Sequence, residues 1–282
     1  MTKPAKGSLL SLDPSKELFV ELINQNPEWW SLLRNDKEVY IHIRKDNYIN
    51  AYYYGGSIIK LEYKRGKFVA ETHHKYYEEL MPVRDSKKTY LQVDLNKFDK
   101  ATLEHIKKKI REEYSDRNTK KKYSEKKLQG EMIINNPNYI DSEFQFNVAE
   151  GVDKLRIDLT ELSNGTLRFI ELKLITDSRL LNLKSQSGKK EDNPEIVSQM
   201  KKYNCFIESQ KEGIIGYYKV LLEIRKSLGL NTPDFKSITV CESAKLIIKN
   251  TYKNENESAA QKSRIEAIKR ILTSENIEYE LI

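Results

Sequence analysis

Residues 156–173 read RIDLTELSNGTLRFIELK, two strands joined by a turn. Leu155, Ile157 and Leu159 alternate with polar residues, and Asn164-Gly165 is a dipeptide that closes two-residue hairpins. The second strand runs over residues 166–174. Asp158 sits in the first strand; Glu171 and Lys173 sit in the second. Side chains alternate along a strand, so Glu171 and Lys173 share a face and Leu172 takes the other. Antiparallel pairing about the turn sets Asp158 opposite the Glu171–Lys173 end. Two carboxylates and an ammonium then gather at one edge of a small sheet.

That cluster has a specific chemistry. Two hard carboxylate oxygens suit Mg²⁺ or Mn²⁺, with waters completing the shell. Such an ion polarises a phosphate oxygen and acidifies a bound water. A lysine beside it can position the water or meet charge developing on the phosphate. An exposed hairpin laced with salt bridges has the same residues, and the hairpin alone does not separate the two.

Residues outside the hairpin add to it. Asn193-Pro194 opens a segment in which Ile196, Met200, Tyr203 and Ile207 recur at helical spacing. Gln199 and Tyr203, four apart, share a face of that helix. Upstream, residues 124–134 read as another helix and carry Glu131, with Glu125 on the same helix. A helix glutamate, a strand aspartate, Glu-x-Lys on the next strand and a helix with Gln-x-x-x-Tyr together resemble the PD-(D/E)xK nuclease superfamily. The glutamine–tyrosine pair is similar to its RecB-like and lambda-exonuclease-like branch. The resemblance covers residues 120–282, with the motif residues between 131 and 203. Ile157 stands where the superfamily often has proline before the aspartate.

The resemblance implies an α/β (α+β) fold with a restriction-endonuclease-like core, a central mixed sheet flanked by helices. It implies a deoxyribonuclease that hydrolyses phosphodiester bonds with Mg²⁺ or Mn²⁺. Asp158, Glu171 and the carbonyl of Leu172 would ligate the ion, and Lys173 would orient the attacking water. Glu131 would hold a second ion or reach the first through water. Gln199 and Tyr203 would buttress the site and contact substrate. The rival is a non-catalytic nucleic-acid-binding scaffold built on the same core.

Composition bounds these readings. Charged residues make up 32% of the 282 and hydrophobic residues 38%, which suits a soluble protein with a real core. The net charge of +7 is compatible with a nucleic-acid partner and equally with a lysine-rich surface. Two cysteines, Cys205 and Cys241, argue against a disulfide framework. They also leave too few ligands for a four-cysteine iron–sulfur cluster. No apolar run approaches a membrane span, and the start lacks a secretion signal, so a cytoplasmic protein is expected.

The N-terminal part reads differently. Residues 14–33 suggest a helix, with Trp29 and Trp30 either anchoring a core or offering bases a stacking platform. Residues 39–43, 48–54, 57–63 and 67–72 read as an antiparallel meander, with a further strand at 89–94. Tyr48, Tyr52, Tyr53 and Tyr54 either fill this sheet or line a nucleic-acid face. Residues 96–114 look helical, and a basic run extends from Lys107 through Lys120, Lys121, Lys122, Lys126 and Lys127. Its position before the Glu131 helix assigns it to phosphate contact, against the alternative of a solvated helix face. Two domains are expected: 1–115, an accessory unit for substrate or a protein partner, and 116–282, the nuclease-like unit.

Overall fold

Asn26 and Pro27 interrupt the first apolar-periodic stretch in the computed structural model of the chain. The structure describes residue 9 and residues 12–80, 89–114, 124–146, 155–183, 192–252 and 258–282. Where one helix was expected over 14–33 there are two, α1 (Glu17–Gln25) and α2 (Glu28–Asn35). Asn26 takes a left-handed conformation (φ 38°) as the cap of α1, and Pro27 caps α2. Proline has no N–H to continue a helix, so the chain restarts there. Trp29 and Trp30 are buried, which answers the question of their role in favour of the core.

The meander follows: β1 (Tyr40–Arg44), β2 (Tyr48–Tyr53), β3 (Gly56–Lys64), β4 (Lys67–His73), then the short helix α3 (His74–Tyr77) and β5 (Tyr90–Val93). These strands form one antiparallel sheet in chain order. In β2, Ile49, Ala51 and Tyr53 are buried while Tyr48, Asn50 and Tyr52 are half-buried, the alternation of a sheet with one face on a core. Next come α4 (Lys100–Tyr114), α5 (Glu125–Asn135) and β6 (Tyr139–Phe146). Ser124 caps α5, its hydroxyl accepting from the Lys127 N–H at 3.2 Å.

The remaining elements are β7 (Leu155–Ser163), β8 (Thr166–Leu174), α6 (Glu195–Ser227), β9 (Thr239–Val240), β10 (Lys245–Lys249), α7 (Ala259–Ser274) and β11 (Tyr279–Leu281). α6 is two helical runs that meet at a kink at Gln210 (φ −120°), the first of them the helix that Asn193-Pro194 opens in the sequence. Ser258 and Gln261 form a reciprocal capping box at the start of α7. Strand order in the second sheet is β11-β10-β8-β7-β6, with β9 also on β8. β7 pairs antiparallel with β8; β9 and β10 pair with it in parallel, and β11 is parallel to β10. The fold is therefore mixed α/β: an antiparallel sheet, and a mixed sheet flanked by helices.

The chain divides into two compact units: Met1–Asp141 with Gly216–Asp234, and Ser142–Ile215 with Phe235–Ile282. The boundary expected at 115/116 falls outside the described residues. No helix among the described residues is long and apolar enough to cross a membrane.

Candidate functional site

The β7–β8 hairpin closes through Asn164 (φ 49°) and Gly165 (φ 78°). Positive φ at both central residues is the turn whose twist matches paired strands. It sets the register Leu159↔Ile170, Thr160↔Phe169 and Leu162↔Leu167. One step further, Asp158 falls across from Glu171. There the Leu172 N–H donates to Asp158 Oδ2 at 2.9 Å. The aspartate thus caps a backbone donor and holds its carboxylate beside Glu171 and Lys173.

β8 is the central strand, with β7 on one side and β9 and β10 on the other. From Phe169 to Lys173 every residue is buried. Glu171 is 2% exposed and Lys173 1%. Leu246 stands beside Glu171 and Ile248 beside Lys173 in the parallel ladder with β10. An isolated charge in such a place is costly, so each must find partners. Lys173 Nζ donates to Glu171 Oε1 and, at 2.7 Å, to the Leu172 carbonyl.

The first half of α6 supplies the rest. Ile196, Met200, Tyr203 and Ile207 form its buried stripe, as the spacing predicts. Tyr203 Oη lies 2.8 Å from Glu171 Oε2 and 2.5 Å from the Arg156 carbonyl, and accepts from Gln199 Nε2 at 2.8 Å. A phenol has one proton, so it serves one of the two acceptors at a time. Burial, then the charge of Glu171, pushes the Tyr203 hydroxyl far above its usual range, and it stays protonated. At the end of β8, Asp177 is half-buried. Burial works against its charge, but hydrogen bonds from the Arg179 side chain and N–H, with the attraction of Arg179 and Lys173, hold its carboxyl below the usual range.

The structure brings together Asp158, Glu171, Leu172, Lys173, Gln199 and Tyr203. Glu131 lies in the first unit, half-buried on α5, while those six lie in the second. Lys126 is exposed and Lys127 half-buried on α5; Lys120, Lys121 and Lys122 lie outside the described residues. Lys107, which opens the basic run, is buried, its Nζ held by Asp36 at 3.0 Å, Glu38 at 2.6 Å and Glu104 at 3.1 Å. The Arg156 carbonyl was missed because a backbone acceptor has no sequence signature. The bond from the Ala244 N–H to Asn204 Oδ1 (2.9 Å) was missed because its partners lie 40 residues apart.

No group of three or more His, Cys, Asp or Glu that could hold a metal ion occurs among the described residues. The donors at hand are two carboxylates and a carbonyl. That all-oxygen set fits a hard cation that keeps several of its waters. Two of those oxygens, Glu171 Oε1 and Leu172 O, already hold a cation, the ammonium of Lys173. No protein-family model, curated protein or solved structure matches the chain.

Proposed function

We propose that the chain is a metal-dependent nuclease of the PD-(D/E)xK type, acting on DNA, with its restriction-endonuclease-like core in the second unit. The observation that carries this reading is the meeting of Asp158, Glu171 and Lys173 with Gln199 and Tyr203. Lys173 from the strand and Gln199 and Tyr203 from the helix gather at the buried Glu171 and the half-buried Asp158. A hairpin serving only as surface would leave Glu171 and Lys173 in water; both are buried on the central strand.

Asp158, Glu171 and the Leu172 carbonyl would hold Mg²⁺ or Mn²⁺. When bound, the ion supplies Lewis-acid polarisation of the phosphate and a more acidic water. Tyr203 keeps its proton and steadies Glu171, and Gln199 fixes the direction of the hydroxyl. Lys173 orients the attacking water and meets negative charge on the phosphate. The water oxygen bonds to phosphorus as the bond to the leaving oxygen breaks; the proton that the water loses passes to solvent, and solvent returns one to the leaving oxygen. The test is incubation of linear and closed-circular DNA, single- and double-stranded, with Mg²⁺, Mn²⁺ or EDTA. Asp158→Ala and Glu171→Ala lower cleavage by orders of magnitude, and Glu131→Gln tests the helix glutamate. Cleavage by Asp158→Ala at the wild-type rate would overturn the assignment.

One observation favours a second reading, the non-catalytic nucleic-acid-binding scaffold. Lys173 satisfies Glu171 Oε1 and Leu172 O from within the chain, so the cluster is complete as a structural ion pair. Calorimetry with Mn²⁺ separates the two. The nuclease binds the ion and loses it in Glu171→Ala; the scaffold gives no binding heat in either.

A further inference from the structure

The first unit contains a cavity of about 430 Å³, within the range of small-molecule sites. Its lining includes Arg34, Lys37, Tyr40, His42, Tyr139 and Arg225, with an apolar wall of Val39, Ile133 and Ile134. Arg225 is the unusual member. It is 8% exposed, and its guanidinium donates to two backbone carbonyls, Ile41 O at 3.0 Å and Asn231 O at 2.7 Å. It makes no ion pair among the described residues, and its buried Nε has no hydrogen-bond partner there. A guanidinium cannot shed its proton to escape burial. Burial lowers its pKa only to about 10, so it remains charged at neutral pH.

The surrounding charges do not neutralise it. Asp141, the carboxylate whose attraction it feels, is buried and lies 3.5 Å from Arg44. Asp36, also on the lining, is engaged by Lys107. His42 is held neutral, its pKa pushed well down by burial and by Arg44 and Arg225. Three cations, Arg34, Lys37 and Arg225, against the one carboxylate of Asp36 give the lining a net positive charge. Arg225 shares the attraction of Asp141 with Arg44, and a buried charge so weakly balanced is costly. The rest of the lining is of another kind: the ring of Tyr40, stacked at 5.3 Å on Tyr52, the ring of Tyr139, and the aliphatic wall. Such surfaces take a flat apolar body.

We infer that this cavity binds a small organic anion of nucleoside-monophosphate size, its anionic group drawn to Arg34, Lys37 and Arg225 and its ring lying against Tyr40, Tyr139 and the aliphatic wall. The site stands apart from the Glu171 cluster in residues and in readout, because it is detected by binding and needs no cleavage.

The experiment is calorimetry and thermal shift on the full chain in EDTA. The probes are the four ribonucleoside monophosphates, their uncharged nucleosides and inorganic phosphate. A monophosphate is expected to bind and raise the melting temperature. Its nucleoside and free phosphate should each bind at least ~10-fold more weakly, a factor worth about 1.4 kcal/mol. Lys37 is exposed, so Lys37→Glu leaves the fold intact and weakens binding several-fold. Arg225→Gln abolishes binding; should that variant fail to fold, Lys37→Glu and the salt dependence decide. Absence of binding by every monophosphate would overturn the proposal. Equal binding of nucleoside and nucleotide, or affinity unchanged in Lys37→Glu, would overturn the assignment of the anionic group.

Discussion

Tyr203 holds Glu171 from a helix 32 residues further along the chain, its hydroxyl 2.8 Å from Oε2. The Tyr203 hydroxyl oxygen accepts from Gln199 Nε2, one turn earlier on α6. Glu171 therefore has its two carboxylate oxygens tied to different elements, Oε1 to Lys173 on its own strand and Oε2 to α6.

Tyr203→Phe removes the hydroxyl and keeps the ring. Hydrogen bonds to charged groups contribute about 1.5–3 kcal/mol. The variant should lose stability of that order in urea unfolding, with an unchanged slope. Wild-type stability in this variant would show that the Tyr203–Glu171 contact contributes nothing.

Lys173→Met leaves Glu171 buried without its cation. Breaking one side of a buried pair costs about 3–5 kcal/mol. The double variant Glu171→Gln/Lys173→Met removes both charges and should recover most of that loss. A double-mutant cycle measures the coupling. Additive losses would mean that the two charges do not depend on each other.

Gly165→Ala tests the turn. Gly165 has φ +78°, and a Cβ there would come within 2.4 Å of the Ser237 carbonyl. Both the strained backbone and the collision oppose the substitution, at a cost of about 1–3 kcal/mol. The Thr239 N–H donates to the Gly165 carbonyl at 2.9 Å, so β9 feels the same change. Melting of the variant at the wild-type temperature would contradict the turn geometry.

His42 makes stability depend on pH. Burial, then the charges of Arg44 and Arg225, hold its imidazole well below the usual range. Its folded pKa is thus depressed below the unfolded value of about 6.5. Above that pH neither state is protonated and the full stability is present. As pH falls below it, the unfolded chain takes up a proton that the folded chain refuses. Stability then declines by up to ~1.4 kcal/mol per pH unit until the folded pKa is reached. Denaturation between pH 7 and pH 5 should show the decline, and His42→Gln should flatten it. Identical slopes in the two proteins would remove His42 from the account.

Much of the second unit was legible because its signals are local. The Asn-Gly turn, the alternation of β7 and the heptad-like spacing of α6 each act within a few residues. So the register that faces Asp158 with Glu171 follows from the sequence alone. The break between α1 and α2 was also written locally, in Asn26-Pro27, but the continuous apolar pattern masked it. Lys107 reads as one of a basic run. Its burial depends on Asp36 and Glu38, brought from about 70 residues away. Arg225 in its cavity is of the same kind: its partners Ile41 and Asn231 offer backbone carbonyls, which carry no side-chain signature.

The parallel ladder beside Glu171 and Lys173 also sets a timetable during synthesis. β8 leaves the ribosome well before its neighbour β10, whose Leu246 and Ile248 flank the two charges. Until β10 arrives, that side of β8 is an open edge carrying a hydrated glutamate and lysine, residues that discourage stray strand pairing. The nascent hairpin is guarded by the same two side chains that the finished sheet buries.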